Sequence, residues 1–261
     1  MKTYKILRVA LNDKQKHHVI QKHAFAKYIQ RFWINRLATK ITILTQHDYN
    51  ILGKLLSNKV VIQNPLSFPI YKEQNLRRKN ILAVGSLDRW EGKGFDNLIF
   101  VWGKIATQYP SWILEIAGTG STSSYDYLLE LCKKNNVENR VHFIGFQPNI
   151  DTVMRESSIF VLSSKFEGLP MALIEAMSQG CACISFDCIS GPREIMTDGE
   201  SGILVENQNL NKLEEALVSL IEDEKLRLEL SCNAIKDVEK FIPENIAKQW
   251  KDMFDEILKD K

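Results

Sequence analysis

Two short apolar runs rich in branched residues, Ile159–Leu162 and Cys181–Phe186, bracket one segment that constrains the whole chain. Each run has the pattern of a strand buried on both faces, as in a parallel sheet. Between them lies Ser163-Ser164-Lys165-Phe166-Glu167-Gly168-Leu169-Pro170-Met171-Ala172-Leu173-Ile174-Glu175-Ala176, closed by Gly180. Pro170 suits a first helical position, where its missing N–H costs nothing, and Gly180 suits the left-handed position just past a helix end. The unit predicts strand, loop, helix, strand, with the loop at the carboxyl end of a parallel strand. Ligands of open α/β sheets sit at that end.

Glu167 falls in the loop and Glu175 eight residues on, inside the helix. A wholly helical path between them rises roughly 12 Å, comparable to a nucleotide sugar from ribose to hexose. The first-turn N–H groups of Met171, Ala172 and Leu173 are expected to lack intrahelical acceptors, which makes an anion site fit for a diphosphate. A pair of glutamates at this spacing is, by itself, equally a solvated helix face. The surrounding Phe166-Glu167-Gly168-Leu169-Pro170 and Leu173-Ile174-Glu175-Ala176-Met177 turn the balance. The stretch resembles the Glu-x7-Glu motif of family 4 retaining glycosyltransferases, which have the two-Rossmann GT-B fold. The resemblance implies that Glu167 meets the transferred sugar and Glu175 the nucleotide ribose. It also implies that Ser164 and the run Gly168, Leu169, Pro170, Met171, Ala172, Leu173 line the donor.

From Asn80 onward strands alternate with helices, which implies a parallel sheet. Strand Ile81–Val84 leads into Gly85-Ser86-Leu87-Asp88-Arg89-Trp90-Glu91-Gly92-Lys93-Gly94-Phe95-Asp96. The family form is Gly-Arg-Leu, a short spacer and Lys-Gly-Phe, with the Arg and Lys on the donor phosphates. Lys93 matches, and a Lys at a loop-to-helix junction is a sound phosphate partner. Ser86 stands where the family has Arg, the spacer is longer, and Arg89 is the candidate replacement. Strand Ile113–Ala117 leads to Gly118-Thr119-Gly120, either a tight turn or, by the resemblance, a wall of the donor cleft. Helix Tyr125–Asn135 and strand Val141–Ile144 precede Gly145-Phe146-Gln147-Pro148, where the resemblance implies backbone contact with the base from Phe146 or Gln147. Gly191-Pro192-Arg193-Glu194-Ile195 and the turn-and-strand 198–205 also follow the family order. Amphipathic helices are expected over 210–221 and 225–239, with a last one from Ile242. In GT-B proteins that terminal helix crosses back onto the N-terminal domain.

The front of the chain is different. Residues 1–40 hold ten Lys and Arg against Asp13 alone, a net +9, while the other 221 residues hold 24 basic and 31 acidic residues, a net −7. Ala24–Ala38 shows helical apolar spacing through Phe25, Phe32 and Trp33. That basic face suits either an anionic membrane surface or plain solvation. His17, His18 and His23 have no carboxylate or Cys cluster beside them and read as surface residues. A strand over 39–45, a short helix over 47–56 and a strand at Val60-Val61-Ile62 then lead to Asn64-Pro65-Leu66-Ser67-Phe68-Pro69, a domain junction. The expected organisation is 1–69 as the remnant of a GT-B N-terminal domain plus linker, and 70–261 as the nucleotide-sugar domain. A family N-terminal domain opens with a strand and a glycine-rich loop and needs well over a hundred residues. The sequence shows no such opening, so the chain is expected to be truncated at its front.

Five cysteines, an odd number without a framework, suit a reducing cytoplasm. Cys181, Cys183 and Cys188 have no nearby His and read as small core residues, not a metal set. No apolar run approaches the length of a membrane span. The fold class expected is α/β: a Rossmann-like parallel-sheet domain, the C-terminal half of a GT-B fold, with a partial N-terminal α/β domain. The function implied by the resemblance is retaining hexose transfer from a nucleotide-diphosphate sugar, with no metal or other cofactor, to a saccharide or lipid-linked acceptor in bacterial surface polysaccharide synthesis. The expected location is the cytoplasm, peripheral at the inner membrane face. The alternative is a catalytically weak nucleotide-sugar-binding half of a split or truncated enzyme, partnered by a separate N-terminal half. A nucleic-acid partner is not expected, because basic and aromatic residues do not interleave across the acidic sheet domain.

Overall fold

The computed structural model describes residues 6–9, 38–53, 57–73 and 76–259. The expected helix over 24–38, its membrane-facing alternative and the three histidines before or within it lie almost wholly outside them.

The described residues form two parallel sheets. The first joins β1 (Ile6–Val9), β2 (Lys40–Ile43) and β3 (Lys59–Val61) in that spatial order, with Ile6 opposite Lys40 and Ile41 opposite Lys59. β1 is a strand that the sequence reading did not place. Its four residues, Ile-Leu-Arg-Val, are too few to declare a period, and pairing with β2 supplies what local pattern does not. The helix α1 after β2 is shorter than expected, Gln46–Ile51, because the helical turn ends at Leu52 and Gly53 takes φ +49°.

The second sheet has six parallel strands: β4 (Arg78–Val84), β5 (Ile113–Ala117), β6 (Val141–Gly145), β7 (Ser157–Leu162), β8 (Ala182–Asp187) and β9 (Ile203–Glu206). Their spatial order is β6-β5-β4-β7-β8-β9. The chain therefore winds outward from β4 to one edge, then returns and winds from β7 to the other. This is the doubly wound arrangement, and its topological switch point lies between β4 and β7. β7 is buried at all six positions, which is why its sequence reads as continuous apolar or small residues.

Helices cover both faces. On one side α3 (Phe95–Ile105) and α8 (Leu210–Glu222) bury Phe95, Leu98, Trp102, Leu213 and Leu217 against Ile81, Leu114, Ile159 and Ile184. On the other side α6 (Met171–Ser178) and α9 (Glu224–Val238) bury Leu173, Ile174, Met177 and Ala234 against Leu82, Phe160 and Cys183. The alternation of strand residues between the two clusters follows the two-residue period of β structure. The remaining helices are α2 (Trp90–Lys93), α4 (Thr122–Lys134), α5 (Ile150–Glu156), α7 (Pro192–Ile195) and the terminal α10 (Pro243–Lys259).

α10 does cross to the first sheet. Its Ile246, Met253 and Ile257 form a cluster with Ile62, and Lys40 Nζ meets Glu256 Oε1 at 2.7 Å. Between the sheets, residues 64–71 run as a strap along the second one. Leu66 is buried in its core, Leu66 N–H donates to Phe241 O at 2.8 Å and Tyr71 N–H to Ser178 O at 2.9 Å.

Candidate functional site

The site forms where the loops after β4 and β7 meet, at the carboxyl edge of the switch point. Both loops are drawn together by backbone contact. Gly94, at φ +67°, ends α2, and a Cβ there would stand 1.9 Å from the carbonyl oxygen of Ser163. Ser163 Oγ donates to Lys93 O at 2.8 Å, and Lys165 N–H donates to Gly92 O at 3.0 Å. Gly118 is equally constrained: a Cβ would lie 1.9 Å from Gly85 O, and Gly85 N–H donates to Ala117 O at 2.9 Å. The Gly-x-Gly of 118–120 is therefore more than a turn, since it lets the loop after β5 press on the loop after β4.

These contacts place Lys93 beside Glu167. Lys93 Nζ lies 2.7 Å from Glu167 Oε1, and Ser164 Oγ donates to the same oxygen at 2.7 Å. Both charged side chains are mostly covered, at 19% and 14% exposure, so water screens the pair incompletely. The aliphatic stem of Lys93 runs over Gly85, where a Cβ would meet three of its carbons at 3.2 Å. An ammonium has three donors, so the ion pair leaves Lys93 capacity for a further acceptor.

The helix that follows differs in detail from expectation. Pro170 is the residue before α6 (φ −73°, ψ 96°), with Met171 the first helical position. Leu173 N–H donates to Pro170 O at 3.1 Å, so among the described residues the expected trio of free N–H groups is a pair, Met171 and Ala172. The proline carbonyl, which sequence reasoning passed over, takes the third. At the far end Gly180 (φ +74°) does take the left-handed position. Gly180 N–H donates to Met177 O and Cys181 N–H to Ala176 O, both at 3.0 Å, the paired bonds of a Schellman end. Glu175, half-buried on this helix, accepts a hydrogen bond from Ser67 Oγ of the strap at 2.6 Å.

The remaining expected residues stand apart from this centre. Ser86 and Arg89 are exposed, and Arg89 makes no ion pair among the described residues. Phe146 is 73% exposed, and the Gln147 amide turns back onto Ile144 O near the end of β6. Gly168 accompanies Glu167 in the loop, Leu169 is buried beneath it, and Gly120 packs against Leu87 and Asp88.

Four residues given no role in the sequence support the site. Asp88 accepts from Ser121 N–H, Ser121 Oγ and Ser124 Oγ, which tie the loop after β4 to α4. The Ser121 backbone bond, then the two hydroxyls, hold its carboxyl below the usual carboxylate range. Ser190 Oγ donates to Glu167 O at 2.9 Å, and a Cβ on Gly191 (φ +96°) would stand 2.1 Å from Gly168 O. Glu194 accepts from Gln46 N–H at 2.8 Å and His47 N–H at 2.9 Å, joining the Gly-Pro-Arg-Glu-Ile run to the start of α1. Gly191 and Glu194 stood inside a quoted motif, so their position was signalled but their contacts were not. Among the described residues no cluster of three His, Cys, Asp or Glu side chains could hold a metal ion, and no helix is long and apolar enough to cross a membrane.

A doubly wound parallel domain with a Lys–Glu centre at its switch point, faced by a second parallel sheet that the last helix reaches, has the architecture of a GT-B glycosyltransferase. Residues 69–237 match the family model described as glycosyl transferases group 1, and the chain belongs to that family. It is 34% identical over 226 residues to the amylovoran biosynthesis glycosyltransferase AmsD of Erwinia amylovora, covering 83% of this chain and 62% of that protein. It is 34% identical over 215 residues to an uncharacterized glycosyltransferase of Haemophilus influenzae, covering 81% of this chain and 60% of that one. The chain thus spans about three fifths of the length of these relatives. Among solved structures, TarM superposes with a TM-score of 0.82 at 22% identity, over 97% of this chain and 50% of TarM. Sucrose-phosphate synthase from Thermosynechococcus elongatus gives 0.83 at 19% identity, over all of this chain and 69% of that one. HepE of Anabaena, solved with UDP and glucose, gives 0.81 at 19%, over 96% and 71%.

Proposed function

We propose that this chain binds a nucleotide-diphosphate sugar at the crevice between the loops after β4 and β7 and serves retaining transfer of its hexose in bacterial surface polysaccharide synthesis. The observation that carries the reading is the Lys93–Glu167 pair, 2.7 Å apart, beside the two free N–H groups that open α6. A diphosphate leaving group gains negative charge as the glycosidic bond breaks. The second and third donors of Lys93, with the N–H groups of Met171 and Ala172, are fixed in place to stabilise that charge. Glu167, held by Lys93, Ser164 and Ser190, offers its second carboxylate oxygen to a hydroxyl of the transferred sugar. Glu175 accepts from the ribose, and the loop carrying Phe146 borders the base. AmsD is named for amylovoran biosynthesis, and another relative transfers N-acetylgalactosamine onto a diphospho-undecaprenol-linked acceptor. Such lipid-linked or saccharide acceptors are proposed here too, in a division of labour with 1–69 on the acceptor side and 70–261 on the donor. The donor is substrate, and no resident cofactor enters the scheme.

Calorimetric titration with UDP, the nucleotide bound by HepE, tests the site. Losing one charged hydrogen-bond partner costs about 1.5–3 kcal/mol, so Glu175→Ala is expected to weaken binding about ten- to a hundredfold. Lys93→Ala is expected to lower transfer by about a hundredfold or more, as for loss of one preorganised donor at a developing charge. Unchanged affinity and unchanged turnover in these variants would refute the assignment. Ser86, in place of the family Arg, and the exposed Arg89, which makes no ion pair among the described residues, favour a second reading, a donor-binding module of weak catalysis. Tight UDP binding without any glycosyl product would select it.

A further inference from the structure

We propose that Ser67, on the strap between the two sheets, is the positioning residue that fixes Glu175 for a nucleotide's ribose. The inference rests on the reading of Glu175 as the ribose partner and adds to it the residue that makes this carboxylate selective. Ser67 Oγ donates to Glu175 Oε1 at 2.6 Å across 108 residues of sequence. The strap that carries it is anchored on both sides: Leu66 N–H on Phe241 O at 2.8 Å, Pro69 O on Gln179 Nε2 at 2.9 Å, and Tyr71 N–H on Ser178 O at 2.9 Å. Pro65 and Pro69 further narrow the backbone around the serine. The hydroxyl is therefore held still at little further entropic cost, although it is exposed to solvent.

A carboxylate on a helix surface ordinarily samples several rotamers, and ordering it would fall to the ligand. Here one oxygen is already fixed, and Oε2 makes no hydrogen bond among the described residues. An ionised carboxylate has about four acceptor positions and Ser67 fills one. Oε2 is thus oriented, unpaired and ready to accept from a sugar diol. A hydroxyl suits this task because it orients the carboxylate without neutralising it, which a lysine at 67 would do.

The test compares UDP with its 2′,3′-dideoxy analogue by calorimetry on the full chain. The native protein is expected to prefer UDP about ten- to a hundredfold, the effect of one charged hydrogen bond. In Ser67→Ala, UDP affinity is expected to fall about three- to tenfold while that of the dideoxy analogue is unchanged. Ser67→Thr, which keeps the hydroxyl, is expected to restore the preference. An equal loss for both ligands would mean a merely structural role, and unchanged or tighter UDP binding would mean that Ser67 competes with ribose; either overturns the proposal while leaving Glu175 in place. A native protein that fails to prefer UDP would overturn the reading of Glu175 itself.

Discussion

Gly94 and Gly145 offer a controlled measurement of how the site's floor is held together. Their backbones are nearly the same, φ +67° and +69°, but their surroundings are opposite. A Cβ on Gly94 would stand 1.9 Å from Ser163 O, whereas a Cβ on Gly145 would meet nothing within 4 Å. Alanine in the left-handed region costs about 1–2 kcal/mol at either position. At Gly94 the methyl must also displace a backbone oxygen of a buried residue by more than an ångström. Overpacking of this kind costs about 1–3 kcal/mol, so Gly94→Ala is expected to lose about 2–5 kcal/mol in total and Gly145→Ala only the strain. In a domain of this size each kcal/mol moves the unfolding midpoint by about 2–4 °C. Thermal unfolding followed by circular dichroism should therefore separate the two variants by roughly 2–12 °C. UDP binding should weaken in Gly94→Ala as well, because the displaced carbonyl lies against the segment carrying Lys93 and Glu167. Equal midpoints for the two variants would refute the claim that close backbone approach, beyond turn geometry, fixes the crevice.

Two further expectations follow from charge and burial. Of the five cysteines, only Cys232 is partly exposed; burial pushes the Cys132 and Cys181 thiols up to about 12 and the Cys183 thiol well above 9. A thiol reagent at pH 8 is expected to modify one thiol quickly in the native protein, and rapid reaction of two or more would contradict the burial of the other four. Asp88, its folded pKa held below 3.8 by Ser121 and Ser124, contributes stability that is complete above 3.8 and is lost as pH falls through the lower folded value. The difference in unfolding midpoint between the native protein and Asp88→Ala should stay constant from about pH 8 to 5 and shrink below about pH 4; a gap that widens on acidification would count against the loop-to-α4 tie.

What was legible in the sequence is what a short window can carry. The β7-loop-α6-β8 unit declares itself because both strands are buried on two faces and so lack polar alternation, and because Gly180 has a conformational job no other residue does as cheaply. Lys93 and Glu167 were both singled out, yet nothing local says that they touch, since 74 residues separate them. Their meeting depends on a strand order that puts β4 beside β7, which the alternation of elements permits but does not specify. The free N–H groups of α6 were overcounted by one because Pro170 stands just outside the helix, where its carbonyl becomes an acceptor. A one-residue shift at a helix end is below the resolution of any pattern argument.

The contacts least visible in the sequence are those between the two sheets, and they share a physical form. Glu194 accepts from two N–H groups at the start of α1, Glu175 accepts from Ser67, and Glu256 accepts from Lys40. Each is a polar bond of a half-buried or exposed side chain, spanning 108 to 216 residues, and none depends on a buried apolar period that could advertise it. Among the described residues, apolar contact across the junction comes from Val60 and Ile62 against α10 and from Leu44 against the core of the second sheet. An apolar seam resists relative movement in proportion to the area it buries, whereas an exposed polar bond exchanges with water at a net cost of about a kcal/mol. The polar contacts of this junction thus set a preferred arrangement at little cost, beside the apolar packing of Leu44 and Ile62. Of these contacts, one ends on a glutamate of the proposed donor site and another on α7, which follows the Gly191 that packs against Gly168. A change in the arrangement of the sheets would therefore be felt directly at Glu175.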